Sequence, residues 1–529
     1  MITGKHLIAG KWVRKQKSSF SSVNPRTATS GDTVFAEAST EEINAAVEAA
    51  ATAFSETRDY DTEKRSLFLE AVADEIEALG DDLLTVCDEE TGLGLPRLTG
   101  ERGRTTGQLR AFAAHIREGS FVEAIIDTAL PDRQPNPRVD IRRMCVPLGV
   151  VAVFPPNNFP LAFGIAGGDT ASAFAAGCPV IAKGHPSHPA TSELVAQAIH
   201  TAIEKTGFPA GFFSLVQGAS IEVGQTLVKH PDLAAVGFTG SLRGGRAIFD
   251  TAAARPRPIP VYAEMGSINP VIILSDALAT RGESLVSTVA GSVTLGSGQF
   301  CTNPGLILMQ ESPLAKTFIQ NVANAMQAQS AGILLNKGVE TGLEKGVSAT
   351  SAKDTVTLVT GGEIATDDGF CYANTVMQTS GDAFLRDPDL QEEHFGPVTL
   401  FVLCDDMAQI EDIIKHLDGN LTATIHATDD ELNAAGALFN QLREITGRLI
   451  LNGMPTGVEV VHSMVHGGPY PATTMPGTTS VGKTAIQRFM RPVAYQNMPD
   501  VLLPDALKNG NPLNIWRIVN DDYTRDTIV

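Results

Sequence analysis

One continuous apolar run, residues 146–154, restricts the possible folds of this chain more than any other segment. Its sequence is Val-Pro-Leu-Gly-Val-Val-Ala-Val-Phe, and such a run is typical of a strand buried on both faces of a parallel sheet. Helical and strand patterns alternate after it. We predict strands at 179–183, 212–216 and 234–239, and helices at 170–176, at 192–205 and after Glu222. This alternation indicates right-handed crossovers and a doubly wound α/β sheet.

The rest of the chain extends the α/β pattern in both directions. Upstream we predict three helices that cover the sheet, at 39–54, 62–79 and 100–116, and Ser39 and Glu42 are spaced as a capping box. After three prolines, residues 139–143 alternate apolar and charged side chains like an exposed strand, so we predict an arm at 131–145. From Glu264 onward the alternation resumes, with helices at 283–295 and 314–327 and strands at 306–309 and 398–403.

The charge of the chain excludes one class of partner. The 529 residues carry a formal net charge of −20, whereas nucleic-acid binding requires a basic surface. An acidic surface also repels anions at long range, so an anionic substrate would need a local cationic pocket. We therefore expect no nucleic-acid partner.

Cysteine spacing and hydropathy indicate an ordinary intracellular protein. The six cysteines form no C-x-x-C pair and no regular framework, so we predict neither a disulfide scaffold nor a metal site. The N-terminus lacks the apolar segment of a signal peptide, and the longest apolar runs are too short to span a bilayer. We expect a cytoplasmic location and no membrane partner.

Cys301 is the candidate nucleophile. It lies at the centre of Gly-Ser-Gly-Gln-Phe-Cys-Thr-Asn-Pro-Gly, residues 296–305, and we expect Gly296 and Gly298 to let another molecule approach the backbone and to leave the thiol exposed. A catalytic cysteine needs a lowered pKa or a nearby base. A lone cysteine beside Phe300 is more often a small buried apolar residue, so its role depends on other stretches of the chain.

Several of those stretches occur together in a fixed order. They are Pro-Asn-Asn-Phe-Pro at 156–160, Lys183, Phe-Thr-Gly-Ser at 238–241, Glu-Met-Gly at 264–266, Gly-Gln-Phe-Cys at 298–301 and Glu-Glu-His-Phe-Gly-Pro at 392–397. Together they resemble the aldehyde dehydrogenase superfamily, from about His6 to about Pro499. The resemblance implies a dinucleotide-binding domain (1–127 and 148–262), a catalytic domain (263–475), an oligomerisation arm (128–147 and 476–505) and a C-terminal tail (506–529).

The resemblance implies catalytic roles for three residues. Cys301 would attack the aldehyde carbon as a thiolate and form a thiohemiacetal. The side-chain amide of Asn158 and the backbone N–H of Cys301 would form the oxyanion hole. After hydride transfer to the nicotinamide, Glu264, with a raised pKa, would activate the water that hydrolyses the thioester.

The resemblance also assigns residues to a nicotinamide cofactor. Lys183 would bind the adenosine ribose, Gly240 and Ser241 the pyrophosphate, and Glu393, with Phe395 beside it, the nicotinamide ribose. No G-x-G-x-x-G motif follows a strand, and a lone Thr-Gly-Ser is more often a plain turn.

Cofactor choice depends on the segment 183–188, Lys-Gly-His-Pro-Ser-His. NAD-preferring members of the family have a glutamate where this chain has Pro186. Without that carboxylate, a 2′-phosphate meets no repulsion, and Lys183, Ser187 or a neighbouring histidine could bind it. The segment favours NADP without excluding NAD.

Two segments resemble one branch of the family. His-Gly-Gly-Pro-Tyr-Pro-Ala at 466–472 stands where the family usually has Pro-Phe-Gly-Gly-x-Lys, and the tail continues through 511–519. The branch contains dehydrogenases of 2,5-dioxopentanoate (α-ketoglutaric semialdehyde) and a bacterial NADP-dependent fatty aldehyde dehydrogenase. We predict oxidation of 2,5-dioxopentanoate, with a fatty or other aliphatic aldehyde as the alternative.

The helix predicted at 100–116 bears on this choice, because in the family it flanks the substrate tunnel. It carries Arg102, Arg104 and Arg110, and Arg104 falls where a tunnel-facing apolar side chain is common. An arginine there could bind a carboxylate bidentately, with Phe159 as a second substrate contact. The alternative is a solvated basic helix face.

Two further expectations concern reaction class and assembly. A cysteine acyl-hydrolase would need a histidine partner, and none of the eleven histidines lies in a recognisable nucleophile–base motif. The arm would leave unpaired strand edges in a monomer, and family members pair subunits through this region, so we predict a homodimer or homotetramer.

Overall fold

Two large sheets form the body of the molecule. The computed structural model describes residues 2–15, 18–366 and 368–528, and in this part of the chain each of the two sheets has seven strands. The strand order of the first sheet is Val261–Glu264, Leu233–Thr239, Val150–Phe154, Val180–Lys183, Phe213–Val216, His6–Ile8 and Lys11–Val13. The first five of these strands are parallel, and the N-terminal hairpin adds two antiparallel strands at one edge. The predicted doubly wound sheet is confirmed, and the hairpin is an addition to it.

The apolar run at 146–154 is divided between two sheets. Ile141–Pro147 belongs to a separate sheet, and Val150–Phe154 is a central strand of the first sheet. Between them, Gly149 has a φ of 133°, a conformation that side chains with a Cβ rarely adopt. Alternate side chains of Val150–Phe154 pack into two different apolar cores. The strand buried on both faces is therefore confirmed for the second half of the run and wrong for the first.

The helical cover of the first sheet is larger than predicted. In the described residues before the first parallel strand, four helices form where three are predicted: Thr40–Thr57, Thr62–Ala78, Gly80–Thr91 and Leu95–Glu118. The capping box is confirmed, because Ser39 and Glu42 each accept a hydrogen bond from the other's backbone N–H. The helix predicted at 62–79 ends at the C-cap Leu79, and Gly80 follows with a φ of 58°, the left-handed conformation typical of a glycine after a helix. The crossover helices are Gly168–Ala176, Pro189–Thr206, Ile221–Lys229 and Leu242–Ala253.

The second sheet repeats the alternation. Its strand order is Thr357–Thr360, Thr375–Ser380, Val398–Cys404, Leu306–Gln310, Val271–Ile273, Asn420–His426 and Thr446–Leu451, with one antiparallel pair at the edge. Its helices are Ser275–Thr294, Pro313–Gln327, Lys337–Ser351, Gly381–Arg386, Met407–His416, Asp429–Ala434 and Gly436–Ile445. The helix predicted at 283–295 begins earlier, at Ser275. Nowhere in the described residues is a helix long and apolar enough to cross a membrane.

The predicted arm forms part of a third sheet, which has five strands in the described residues. Their order is Met490–Gln496, Ile141–Pro147, Ile125–Asp127, Arg517–Val519 and Asp522–Thr524. The exposed strand predicted at 139–143 therefore lies a few residues further along the chain. Two strands come from the segment predicted as a tail, and Trp516 and Tyr523 stack at a centroid distance of 4.7 Å.

Candidate active site

Cys301 lies in a loop held by unusual backbone conformations. After helix Ser275–Thr294, the chain turns through Leu295–Gly298 with positive φ at Gly296, Ser297 and Gly298. A Cβ at Gly298 would lie 2.1 Å from the carbonyl oxygen of Gly396. The close approach predicted for this glycine is therefore made by the chain itself and not by another molecule. The loop leaves Cys301 half-buried, whereas the other five cysteines of the chain are buried.

Three polar side chains from distant segments meet at this loop. Glu264 ends strand Val261–Glu264, and His466 and Ser480 belong to the loop region that follows the second sheet. The His466 Nε2 atom lies 3.4 Å from Cys301 Sγ and 2.9 Å from Glu264 Oε1. Ser480 donates its hydroxyl to Glu264 Oε2 at 2.5 Å. The thiol thus has both an imidazole and a carboxylate as neighbours.

The electrostatics of the cluster differ from the sequence prediction. Burial and the adjacent Glu264 carboxylate raise the pKa of the Cys301 thiol well above its ordinary value. Burial alone would raise the pKa of Glu264, but His466 and the hydroxyl of Ser480 outweigh it and hold that pKa below its usual value. The predicted raised pKa of Glu264 is therefore wrong. The imidazole of His466, with Nε2 3.4 Å from Sγ, is placed to take the thiol proton.

His466 is the residue that the sequence argument missed. It lies 165 positions after Cys301, so no short motif joins the two residues. A signal was present nonetheless, because His466-Gly-Gly stands where the family usually has Phe-Gly-Gly. A histidine in place of the family's phenylalanine puts a titratable side chain near the nucleophile. This difference could have identified His466 as a candidate base.

Asn158 is close to the cysteine loop, as predicted. Its side-chain Nδ2 donates to the carbonyl of Gln299 at 3.0 Å, and its own carbonyl accepts from Arg97 at 2.5 Å. A side-chain amide carries two N–H hydrogens, so the bond to Gln299 leaves one available. The Asn158 side chain is buried, and the free hydrogen can stabilise charge that develops near Cys301.

The three arginines of helix Leu95–Glu118 have different environments. Arg102 donates to the carbonyl of Gly80, and Arg110 pairs with Glu77 and Asp74 at the surface. Arg104 instead points into an aromatic pocket, with its guanidinium carbon 5.7 Å from the ring centroid of Phe159 and 5.2 Å from that of Phe163. The solvated basic face is thus correct for Arg110 and wrong for Arg104, and Arg102 is half-buried against the carbonyl of Gly80.

The Arg104 guanidinium has unused hydrogen-bonding capacity. Its Nε and Nη2 atoms are buried and have no hydrogen-bond partner among the described residues. Burial lowers its pKa, while the charges of Glu101, Cys301 and Glu264 favour the cation. Phe163 also packs against His466, with ring centroids 6.2 Å apart. The Cys301 charge acts on Arg104, so a cation with buried, unused donors lies near the reactive thiol.

The predicted adenosine end of the cofactor site contains an acid that the sequence argument missed. Lys183 ends a strand of the first sheet, and burial lowers its pKa to about 8, opposed by the nearby charge of Glu37. The Glu37 carboxylate accepts from the backbone N–H groups of Ala219 and Ser220. The hydroxyl of Ser187 accepts from Asn336 at 3.0 Å, so part of its capacity is used within the protein.

The predicted pyrophosphate site coincides with a helix N-terminus. Ser241 is the N-cap of helix Leu242–Ala253, and its hydroxyl accepts from the backbone N–H of Gly244 at 3.2 Å. Such a terminus offers backbone N–H donors to an anion. The backbone N–H of Gly240, however, donates to the carbonyl of Glu264 at 3.1 Å and is not free. This part of the chain suits a dinucleotide through Ser241 and the helix terminus.

Glu393 and Phe395 lie beside the cysteine loop. Together with Gly298 and Phe300 they line one pocket. A Cβ on Gly266 would lie 2.5 Å from Glu393 Oε2, so the Glu393 carboxylate packs against the backbone of Gly266, two residues after Glu264. Burial raises the pKa of Glu393 to about 7, opposed by a hydrogen bond from the backbone of Ser267. Both residues therefore lie in the pocket beside the loop that carries the thiol.

The chain has long and closely related relatives. The family model "Aldehyde dehydrogenase family" matches residues 12–491. Alpha-ketoglutaric semialdehyde dehydrogenase 2 of Azospirillum brasilense is 47% identical over 519 residues, which are 98% of each chain. Alpha-ketoglutaric semialdehyde dehydrogenase of Acinetobacter baylyi is 44% identical over 523 residues, 99% of each chain.

Solved structures share the fold. Betaine aldehyde dehydrogenase of Staphylococcus aureus in complex with NAD+ has a TM-score of 0.81 at 22% identity, over 94% of this chain and 96% of that one. Aldehyde dehydrogenase of Bacillus cereus in complex with NAD+ has a TM-score of 0.79 at 23% identity, over 93% and 96% of the two chains. With the family model, the full-length relatives and the thiol–imidazole–carboxylate cluster all in agreement, this chain belongs to the aldehyde dehydrogenase family.

Proposed function

We propose that this aldehyde dehydrogenase oxidises 2,5-dioxopentanoate, an aldehyde with a terminal carboxylate, to 2-oxoglutarate. The observation that carries the proposal is Arg104. Its Nε and Nη2 atoms are buried without a hydrogen-bond partner among the described residues, and its guanidinium lies against the rings of Phe159 and Phe163. A guanidinium of this kind binds a carboxylate through paired, charge-assisted hydrogen bonds. The names of the two relatives at 47% and 44% identity support the same substrate.

In the proposed reaction, Cys301 is the nucleophile and His466 its base. Nε2 of His466, 3.4 Å from the sulfur, accepts the thiol proton, and the Glu264 carboxylate stabilises the imidazolium. The thiolate attacks the aldehyde carbon to form a thiohemiacetal. The free N–H of Asn158 and the backbone N–H of Cys301 stabilise its oxyanion. A nicotinamide cofactor, when bound, accepts the hydride.

The thioester left on Cys301 must then be hydrolysed. Glu264 takes a proton from water as the resulting hydroxide attacks the thioester carbon. The C–S bond then breaks, the carboxylic acid leaves, and Glu264 returns the proton to the sulfur, while His466 releases to solvent the proton that it took from Cys301. The lowered pKa of Glu264 keeps its carboxylate ionised, and Ser480 orients it through the 2.5 Å hydrogen bond. Because a weak base is a poor proton acceptor, we expect Glu264 to leave His466 before it acts, so that its pKa rises toward that of a buried carboxylate.

For the cofactor, we propose that both NAD and NADP bind, with NADP favoured. Lys183 would bind the adenosine ribose, Ser241 the pyrophosphate, and Glu393 with Phe395 the nicotinamide ribose. Pro186 leaves no carboxylate at the position of the usual glutamate, which favours the 2′-phosphate. Glu37, next to Lys183, opposes that preference, so we expect the ratio of kcat/KM values for NADP and NAD to be moderate and to rise in Glu37→Gln.

The test of the substrate uses one pocket arginine and one surface arginine of the same helix. Arg104→Leu should lower kcat/KM for 2,5-dioxopentanoate at least tenfold, since a charge-assisted hydrogen bond contributes about 1.5–3 kcal/mol. The same variant should retain or improve activity on a long-chain aliphatic aldehyde. Arg110→Leu, the matched control, should leave both values unchanged. Equal losses on both substrates, or a wild type that prefers the fatty aldehyde, would favour a fatty aldehyde dehydrogenase.

A second candidate function is favoured by one observation. The cysteine acyl-hydrolase requires a histidine beside the thiol, and His466 supplies it. The same groups would hydrolyse the thioester of the dehydrogenase, so the cluster serves both reactions. Reduction of NAD or NADP in step with aldehyde consumption identifies the dehydrogenase, whereas ester hydrolysis without any cofactor-dependent oxidation identifies the hydrolase.

A further inference from the structure

The cluster of Glu264, Cys301 and His466 also has the side-chain types of a zinc site. Glu264, Cys301 and His466 each offer one ligand atom, and these atoms lie within 4.8 Å of one another. Thiolate sulfur, imidazole nitrogen and carboxylate oxygen are the ligands that Zn²⁺ prefers in proteins. The three ligands come from different segments of the chain, so their spacing in the sequence resembles no zinc motif.

The distances agree with tetrahedral coordination. Bond lengths of about 2.3 Å to sulfur and about 2.0–2.1 Å to nitrogen and oxygen put S and N about 3.5 Å apart, and N and O about 3.3 Å apart. The observed separations are 3.4 Å and 2.9 Å. The contact between Glu264 and His466 must open by a few tenths of an ångström, and the third pair, Cys301 Sγ and the Glu264 oxygen, lies within 4.8 Å. Three protein ligands leave a fourth coordination position for water or an anion.

Without a cation, the polar atoms of Glu264, Cys301 and His466 cannot all be paired in hydrogen bonds with one another. Nε2 of His466 faces both Sγ and Oε1 and can carry only one hydrogen. Glu264 Oε1 is buried and, among the described residues, receives no well-directed hydrogen bond, so its 2.9 Å contact with Nε2 is a close approach of polar groups. Ser480 fixes the other carboxylate oxygen, as groups behind a metal ligand do.

We propose that Zn²⁺ binds reversibly to Glu264, Cys301 and His466 and inhibits the enzyme. Binding forms a Zn–S bond and releases the thiol proton to solvent; no electron is transferred. It removes the nucleophile, its base and the carboxylate in one step. Removal of the ion by a chelator returns the proton to sulfur and restores activity. The inference rests on the geometry of the three ligands and not on the identity of the aldehyde.

The experiment measures metal binding directly. Chelator-treated full-length enzyme is titrated with Zn²⁺ by calorimetry, and with Cd²⁺ by the ultraviolet band of sulfur-to-cadmium charge transfer. We expect one ion per chain at micromolar concentrations. Loss of an outer-shell partner costs about 10–100-fold in affinity, so Cys301→Ala and His466→Ala should each weaken binding at least about 100-fold. His462→Ala is the matched control, since His462 is an exposed histidine of the same loop region.

A second measurement, made on the wild type, distinguishes loss of the metal site from misfolding of a variant. Zn²⁺ should slow alkylation of Cys301 by iodoacetamide in the wild type, and the other cysteines are buried, so the modified residue can be assigned by mass spectrometry. Each variant is first compared with the wild type in thermal melting. The proposal is overturned if Cys301→Ala retains the binding or the charge-transfer band, if alkylation is unchanged by Zn²⁺, or if the wild type binds no ion at micromolar concentrations.

Discussion

At the residue scale, His466 decides how the thiol is activated. Burial and Glu264 both favour the protonated thiol, so an isolated Cys301 in this setting would be a weak nucleophile. General base catalysis by a positioned side chain contributes about 10²–10⁴-fold. His466→Phe should therefore slow the burst of reduced cofactor at least about 100-fold in stopped-flow absorbance. His462→Phe is the control, and an unchanged burst in His466→Phe would rule out His466 as the base.

Cys301 itself must be essential if the proposed reaction is correct. Cys301→Ala removes the atom that forms both covalent intermediates, so aldehyde oxidation should cease while the cofactor still binds. Steady-state reduction of the cofactor and a cofactor-binding titration measure the two properties. Retention of a tenth of the activity would contradict the assignment.

Glu264 acts at a different step, and its substitution should show that. Glu264→Gln lacks a proton acceptor for water, so a thioester should accumulate after a burst of reduced cofactor, followed by a slow steady state. Acid quenching and mass spectrometry of the intact protein would detect the acyl group on Cys301. Normal turnover in this variant would place the base at another residue, and Glu393 would be examined first.

Lys183 makes the cofactor affinity dependent on pH. Burial lowers its pKa to about 8, so the cation is present below that pH and is lost as the pH rises through it. Bound NADP stabilises the cation and raises the pKa, so the Kd for NADP should increase between pH 8 and the higher pKa of the complex, by up to tenfold per pH unit. Fluorescence titration measures this Kd. Lys183→Gln should bind more weakly, with little dependence on pH over the same range.

At the element scale, a buried ion pair joins the C-terminal segment to a crossover helix. Arg488 of Lys483–Phe489 contacts Asp169, in the first turn of Gly168–Ala176, at 2.7 Å, with both side chains at most 8% exposed. Removal of one partner leaves an uncompensated buried charge, which costs about 3–5 kcal/mol. Arg488→Leu should therefore lower the Tm clearly in calorimetry.

The double variant separates the charge effect from the loss of packing. In Arg488→Leu/Asp169→Leu no charge remains unpaired, so part of the lost Tm should return. If the double variant melts below the single one, the Asp169 side chain contributes through contacts other than the ion pair. Loss of the packing of Arg488 against Tyr262 and Phe489 is common to both variants and does not affect this comparison.

At the scale of the whole molecule, the five-stranded sheet has edges without strand partners in the described residues. Met490–Gln496 and Asp522–Thr524 each pair on one side, and apolar side chains such as Val501 (82% exposed) and Tyr523 (66%) lie in the same part of the chain. Unpaired edges and exposed apolar groups favour association. We expect a homodimer or homotetramer assembled through this region, and a monomer in light scattering would contradict that expectation.

A charge introduced into this region tests where the subunits meet. Val501→Lys/Leu502→Lys adds two cations to the exposed pair, and the double variant should form a smaller species than the wild type. Leu314→Lys is the control, because Leu314 is an exposed apolar residue on a helix of the second sheet. A similar effect of both substitutions would place the interface elsewhere.

The α/β class, the order of the parallel strands along the chain and the motif around Cys301 could all be predicted from the sequence. The first two features are local, because an apolar run or a turn residue depends on a few neighbouring positions. The motif could be interpreted because it occurs with others in the order typical of the family. The domain boundaries and the roles of the cofactor residues stay predictions.

Which side chains meet could not be predicted, because it depends on the folded arrangement of the whole chain. The tertiary structure brought His466 to Cys301 across 165 positions, placed Arg104 among aromatic rings while Arg110 pairs with acids at the surface, and divided the apolar run at Gly149 between two sheets. Each outcome depends on how distant segments pack: a helix carries arginines on several faces, and its neighbours determine which face is buried. The same packing set the pKa of Glu264, because a carboxylate responds to the partners that surround it in the folded chain.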